Sequence, residues 1–167
     1  MPKLIKNGAI VEDTWTLIAK PEGDVASFAV PAGQVIIPAS VWFAQQETLQ
    51  ARTDVGVWLD SDEGAELIGA DANRLPVIGV NFPTFMDGRS FSTARLLRER
   101  YGFTGELRAV GHFMRDQLCY LRRCGVDAFT FANPEANLEE AIKSLADFQE
   151  YYQSSVDQPL PLFRRRA

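Results

Sequence analysis

Residues 77–110 read VIGVNFPTFMDGRSFSTARLLRERYGFTGELRAV. The stretch opens on the apolar run Val77–Val80 and closes on Leu107–Val110, each short and branched enough for a buried strand. Between them Phe91, Ala94, Leu97 and Tyr101 recur at helical spacing, which predicts a helix over 90–101. Two apolar strands joined by a helical crossover run parallel. This is one βα step, and it sets the reading of the rest.

The same alternation continues on both sides. Apolar runs stand at Val35–Ile37, Val55–Leu59 and Val126–Phe131, with helical stretches predicted near 40–51, 63–72, 113–124 and 134–152. In the last of these, Leu138, Ala141, Ile142, Leu145 and Phe148 form an amphipathic stripe, and Asn133-Pro134 reads as its N-cap and first-turn proline. Gly125 reads as the residue that stops 113–124. Ahead of the repeats, residues 3–19 read as a hairpin turned by Asn7-Gly8, because that pair supplies the positive φ values of a two-residue turn. Residues 20–33, with two prolines and two glycines, read as a connector. The expected fold is a single α/β domain over 1–167. An N-terminal β-hairpin (1–19) and the connector precede a core of successive βα units (34–152), and a tail (153–167) follows. The sheet is expected to be mainly parallel, either open and doubly wound or a partial β/α barrel.

The 167 residues are 46% hydrophobic and 23% charged, enough apolar material for one core without disulfide or metal staples. Disordered, collagen-like and disulfide-scaffold classes are excluded on that ground. The net charge of −5 argues against nucleic acid as a partner. No run approaches a membrane span, and the opening residues lack the apolar core of a secretory leader, so the cytoplasm is the expected compartment. Cys119 and Cys124 are the only cysteines, their spacing fits no metal or redox signature, and both read as packing residues; no metal site is expected. Charge is unevenly spread: residues 89–123 carry 8 arginines against 3 acids, and no lysine. Such a segment suits either solvated faces paired with acids elsewhere in the chain or recognition of carboxylate and oxyanion groups.

In parallel α/β folds ligands bind at the carboxyl ends of the strands. The loop after Val77–Val80 is long, and Asp87-Gly88-Arg89 stands directly before a predicted helix. Arg89 could clamp an anion there while Asp87 orients it or handles a proton; a local cap and an internal ion pair would use the same residues. His112, the single histidine, falls on the same sheet edge. Arg98 reads as a snorkelling or ion-paired side chain. Gln117, central in the apolar arc of 113–124, reads as an amide bonded to a neighbouring loop, and Asp116 flanks that arc. No glycine-rich phosphate loop, dinucleotide fingerprint, zinc motif or nucleophile elbow occurs, so no cofactor is assigned.

The strings NFPTFMDGRSFSTARLLRER (81–100), GFTGELRAVG (102–111) and RDQLCYLRRCGVDAF (115–129), with the opening hairpin and Trp58-Leu59, resemble a proteobacterial family of unknown function. Its members are encoded beside assimilatory sulfite reductase and carry the label of an oxidoreductase of sulfite reduction. The resemblance spans most of the chain. It departs where Phe91 directly follows Ser90, and where His112 replaces the family's aspartate. It implies an accessory protein of sulfur assimilation, either a partner of sulfite reductase or an oxyanion-binding component. The alternative it implies is an enzyme acting on a sulfur oxyanion or nucleotide sulfate. On that implication the binding residues would be Arg89, Ser92, Arg95 and Arg108, with Asp87, Arg89 and Asp116 as catalytic candidates.

Overall fold

Asn7 and Gly8 take φ values of 51° and 79°, the left-handed pair that closes β1 (Lys3–Lys6) onto β2 (Ala9–Glu12). The hairpin ends at Glu12, shorter than the expected 3–19. Residues beyond it form β3 (Thr16–Leu17), which pairs in parallel with β4 (Val35–Pro38). Then follow β5 (Val55–Leu59), β6 (Val77–Phe82), β7 (Glu106–Gly111) and β8 (Ala128–Phe131). The structure, a computed structural model, describes residues 2–145.

The eight strands form one sheet in the order β2-β1-β8-β7-β6-β5-β4-β3. From β3 to β8 all neighbours are parallel, and β1 is antiparallel to both β2 and β8. This order decides between the two expected architectures. The parallel strands follow chain sequence without a switch point, so right-handed crossovers stack every helix on one face. The edges also decide it. β2 and β3 lie at opposite edges, about 33 Å apart in a flat sheet at the usual strand spacing, yet only residues 13–15 connect them. The four Cα steps from Glu12 to Thr16 reach about 14 Å. The sheet therefore curls into a half-barrel, with residues 13–15 spanning its open side.

The convex face is covered by α1 (Ala39–Ala44), α2 (Gln46–Leu49), α3 (Arg89–Glu99), α4 (Leu118–Arg123) and α5 (Leu138–Leu145). Their buried residues, among them Trp42, Leu97, Leu121 and Leu145, join Val57, Val80, Leu107 and Phe129 of the strands in one core. Several predicted helices are cut by local chemistry. The stretch 40–51 breaks at Gln45, whose side chain turns away to donate to the carbonyls of Val25 and Phe28, pinning the connector. The stretch 63–72 contains Gly64 and Gly69 and forms 3-10 turns over Ala65–Leu67 and Gly69–Arg74 instead of an α-helix. The stretch 113–124 begins as a 3-10 turn at Arg115–Gln117. Asn133-Pro134 does not open the last helix: Asn133 Oδ1 accepts from Glu135 N–H in a local turn, and Asn137 Oδ1 caps α5 by accepting from Glu140 N–H at 3.1 Å. The predicted continuation of this helix to 152 and the tail lie outside the described residues.

On the concave face Ile36, Trp58 and Val77 pack together, with Trp15 of the crossing segment against them. A Cβ at Gly79 would stand 2.9 Å from the Cβ of Trp58, so the curl of the sheet requires glycine there. Beside this cluster Arg108, 2% exposed, donates to both carboxylate oxygens of Asp13 at 3.0 and 2.9 Å and to Glu106 at 2.8 Å. Lys6 completes the set with a 2.7 Å contact to Glu106. Arg108, Asp13 and Glu106 are buried, and the part-exposed Lys6 brings the second cation that balances the two carboxylates.

Candidate functional site

The strand carboxyl ends of β5 and β6 bring together a polar chain of contacts. Asp60, directly after β5, accepts from Lys20 Nζ at 2.7 Å, from the Asn81 amide at 3.0 Å and from the backbone N–H of Ser61 at 2.9 Å. Burial pushes the Asp60 carboxyl up, but these hydrogen bonds outweigh it and leave it below the ordinary aspartate value. Lys20 is held charged by the same bond to Asp60, and its ammonium stands 5.5 Å from the centroid of the Trp58 ring. Ser61 Oγ accepts from Arg89 Nη2 at 3.0 Å, which carries the chain of contacts on to the β6 loop.

There Arg89 grips Asp87 in a two-point fork, Nε to Oδ1 at 3.0 Å and Nη2 to Oδ2 at 2.7 Å. The Arg89 backbone N–H also donates to Asp87, at 3.2 Å. The guanidinium beside it holds the Asp87 carboxyl far below the usual carboxylate range. Asp87 therefore stays ionised at any ordinary pH, and the Arg89 charge is met within the chain even though 62% of its side chain is exposed. Ser90 is buried and donates to the Asn81 carbonyl at 2.6 Å, fixing the start of α3 against the end of β6.

The other expected site residues lie elsewhere. Ser92 is exposed on α3, and Arg95 pairs along the helix with Glu99 at 3.1 Å. Arg108 points into the concave face, bonded to Asp13 and Glu106. Asp116 is exposed in the 3-10 turn before α4, and His112 is exposed after β7. Arg98 is enclosed, donating to the carbonyls of Phe103, Gly105 and Gly125 and meeting Asp127 at 3.4 Å. Arg115 pairs with Glu140 at 2.7 Å. Arg89, Arg95, Arg98, Arg108 and Arg115 thus each engage an acid of this chain, so much of the cationic surplus of 89–123 is spent internally.

Beside the exposed Arg89 and His112, three large apolar side chains also face outward at this end. Met86 is 82% exposed, Phe85 52% and Met114 47%. Gln117 joins their loops: its Oε1 accepts from Met114 N–H at 2.8 Å and its Nε2 donates to the Phe85 carbonyl at 3.0 Å. The amide acts as the loop clamp its place in the sequence suggests, and it presents the three side chains on adjoining loop tips. Large apolar groups held exposed on anchored loops are the chemistry of a contact surface.

Lys20, Trp58, Asp60, Ser61 and Asn81 are not among the candidate site residues read from the sequence. Asp60-Ser61 carried a usable signal, since it directly follows an apolar run and must share the sheet edge with Asp87. Lys20 carried none, because it sits in a Pro/Gly-rich connector. Among the described residues no group of three or more His, Cys, Asp or Glu is arranged to hold a metal ion, and no helix is long and apolar enough to cross a membrane. A family model described as a bacterial protein of unknown function (DUF934) matches residues 56–163. No curated protein and no solved structure matches the chain.

Proposed function

The chain belongs to the DUF934 family of bacterial proteins of unknown function, and we propose that it is an accessory protein of assimilatory sulfite reduction that docks on sulfite reductase in the cytoplasm. The pathway comes from the resemblance carried by residues 81–100, 102–111 and 115–129. The mode of action comes from one observation, the exposed Phe85, Met86 and Met114 on loops clamped by Gln117. An arginine-led docking mode has less support, because the arginines of 89–123 named above engage this chain's own acids. Contact through Phe and Met side chains buries apolar area and is insensitive to salt, whereas exposed charge pairs are screened. Purification of the tagged chain from cells growing on sulfate tests this: sulfite reductase should accompany it and remain bound in high salt.

A second reading is kept by the exposed Arg89 guanidinium. Fixed by Asp87 and Ser61 at the first turn of α3, it could contact a small oxyanion such as sulfite. The fork to Asp87 weakens its pull on a second anion. On this reading sulfite raises the thermal midpoint of the wild-type chain, and Arg89→Ala removes that rise while the protein stays folded. No rise in the wild type removes the reading.

A further inference from the structure

Docking through the loop tips leaves the interior of the curled sheet free. A cavity of about 330 Å³ opens between residues 17–20 and the carboxyl halves of β5, β6 and β7. Its floor is Trp58, and its walls are Ile18, Ala19 and Val110. It exists because Gly79 places no side chain beside Trp58 and because the Trp58 indole N–H donates to the Ile18 carbonyl at 2.8 Å, holding 17–20 across the opening. Two polar groups face into this apolar space, Lys20 and Asn81. Lys20 spends one of its three donors on Asp60 at 2.7 Å. Asn81 turns its amide N–H to the other oxygen of Asp60, which leaves its carbonyl oxygen as an acceptor.

The charge around these groups selects the ligand. Asp60 meets Lys20 at 2.7 Å, and a second carboxylate stands beside it, Glu63 Oε2 accepting from the Asp60 backbone N–H at 2.8 Å, so the acids outnumber the ammonium they surround. A free carboxylate or sulfate would meet this field and be repelled, whereas a neutral acceptor would not. The volume is at the small end of the range for ligand sites, about 300–1,000 Å³, and suits a single ring. We propose that this cavity binds a small neutral amide or lactam borne on an apolar ring, its carbonyl accepting from Lys20 and its N–H donating to Asn81. The ring lies among Trp58, Ile18 and Val110. A binding site of this kind stands independently of docking, since none of its residues is on the Phe85–Met86–Met114 face.

Benzamide and benzoate, equal in size and different in charge, are the probes. In the full chain, the Trp58 indole N–H resonance, assigned with Trp58→Phe, should shift on titration with benzamide, together with the Asn81 side-chain signals. Benzoate should bind at least about tenfold more weakly because of the acidic field. Ala19→Phe, which places a large side chain at an exposed position lining the cavity, should abolish the shift while the Trp42 indole signal, in the core on the other face of the sheet, stays unchanged. Lys20→Met should weaken benzamide about fivefold through loss of one hydrogen bond. The proposal is overturned by an unmoved Trp58 signal at saturating benzamide, by benzoate binding as well as benzamide, or by Ala19→Phe binding like wild type. Sulfite reductase recovery is not a readout here, so the two claims fail separately.

Discussion

Arg108 illustrates how a residue's type can be legible and its role not. The family resemblance implies Arg108 as a binding residue, but its place on β7 turns it to the concave face, where Asp13 and Glu106 take its donors. The partner Asp13 is 95 residues away in the chain and was invisible to any local pattern. Removing one member of a buried charge set leaves the rest uncompensated, so Asp13→Ala should cost about 3 kcal/mol of stability in urea denaturation. A loss under about 1 kcal/mol would mean that Arg108 is not held as described. Asp60 gives a pH signature. Its folded pKa lies below the ordinary 3.8, so its stabilising contribution is complete above that value and is lost as pH falls through it. The urea midpoint should therefore drop on acidification below about pH 4, as Asp60 is protonated, and Asp60→Asn should flatten that drop. Asp87 and Arg89, by contrast, were read correctly as neighbours, because a turn before a helix brings them together whatever the fold does.

At the scale of elements, the five parallel strands β4 to β8 were legible as apolar runs, because both faces of such a sheet are buried. β3 was not: two exposed residues carry no period. Helix ends followed from competition between side chains and backbone. Gln45 spends its amide on the connector and breaks 40–51, and the Asn-Pro signal at 133 marks a turn rather than a helix start. Asn137→Ala should therefore destabilise the protein by about 1 kcal/mol through loss of the α5 cap. The experiment is thermal or urea unfolding, and an equal or larger loss from Asn133→Ala would reverse the assignment of the cap.

For the whole molecule, the choice between an open sheet and a partial barrel depended on one short connection. Residues 13–15 cannot bridge a flat sheet of eight strands, and this constraint appears only once β3 is known to pair with β4. The curl sets the division of surfaces: a helical convex side, a concave cavity, and loop tips at the strand carboxyl ends. On those tips the apolar trio of Phe85, Met86 and Met114 was passed over in sequence in favour of the charged residues beside it. The most direct test of the docking claim is quantitative recovery of sulfite reductase on the tagged chain, wild type against the Phe85→Glu, Met86→Glu double variant. We expect near-equimolar recovery with the wild type in low and high salt, and loss of recovery with the folded variant. Equal recovery with the variant, or none with the wild type, would contradict the account.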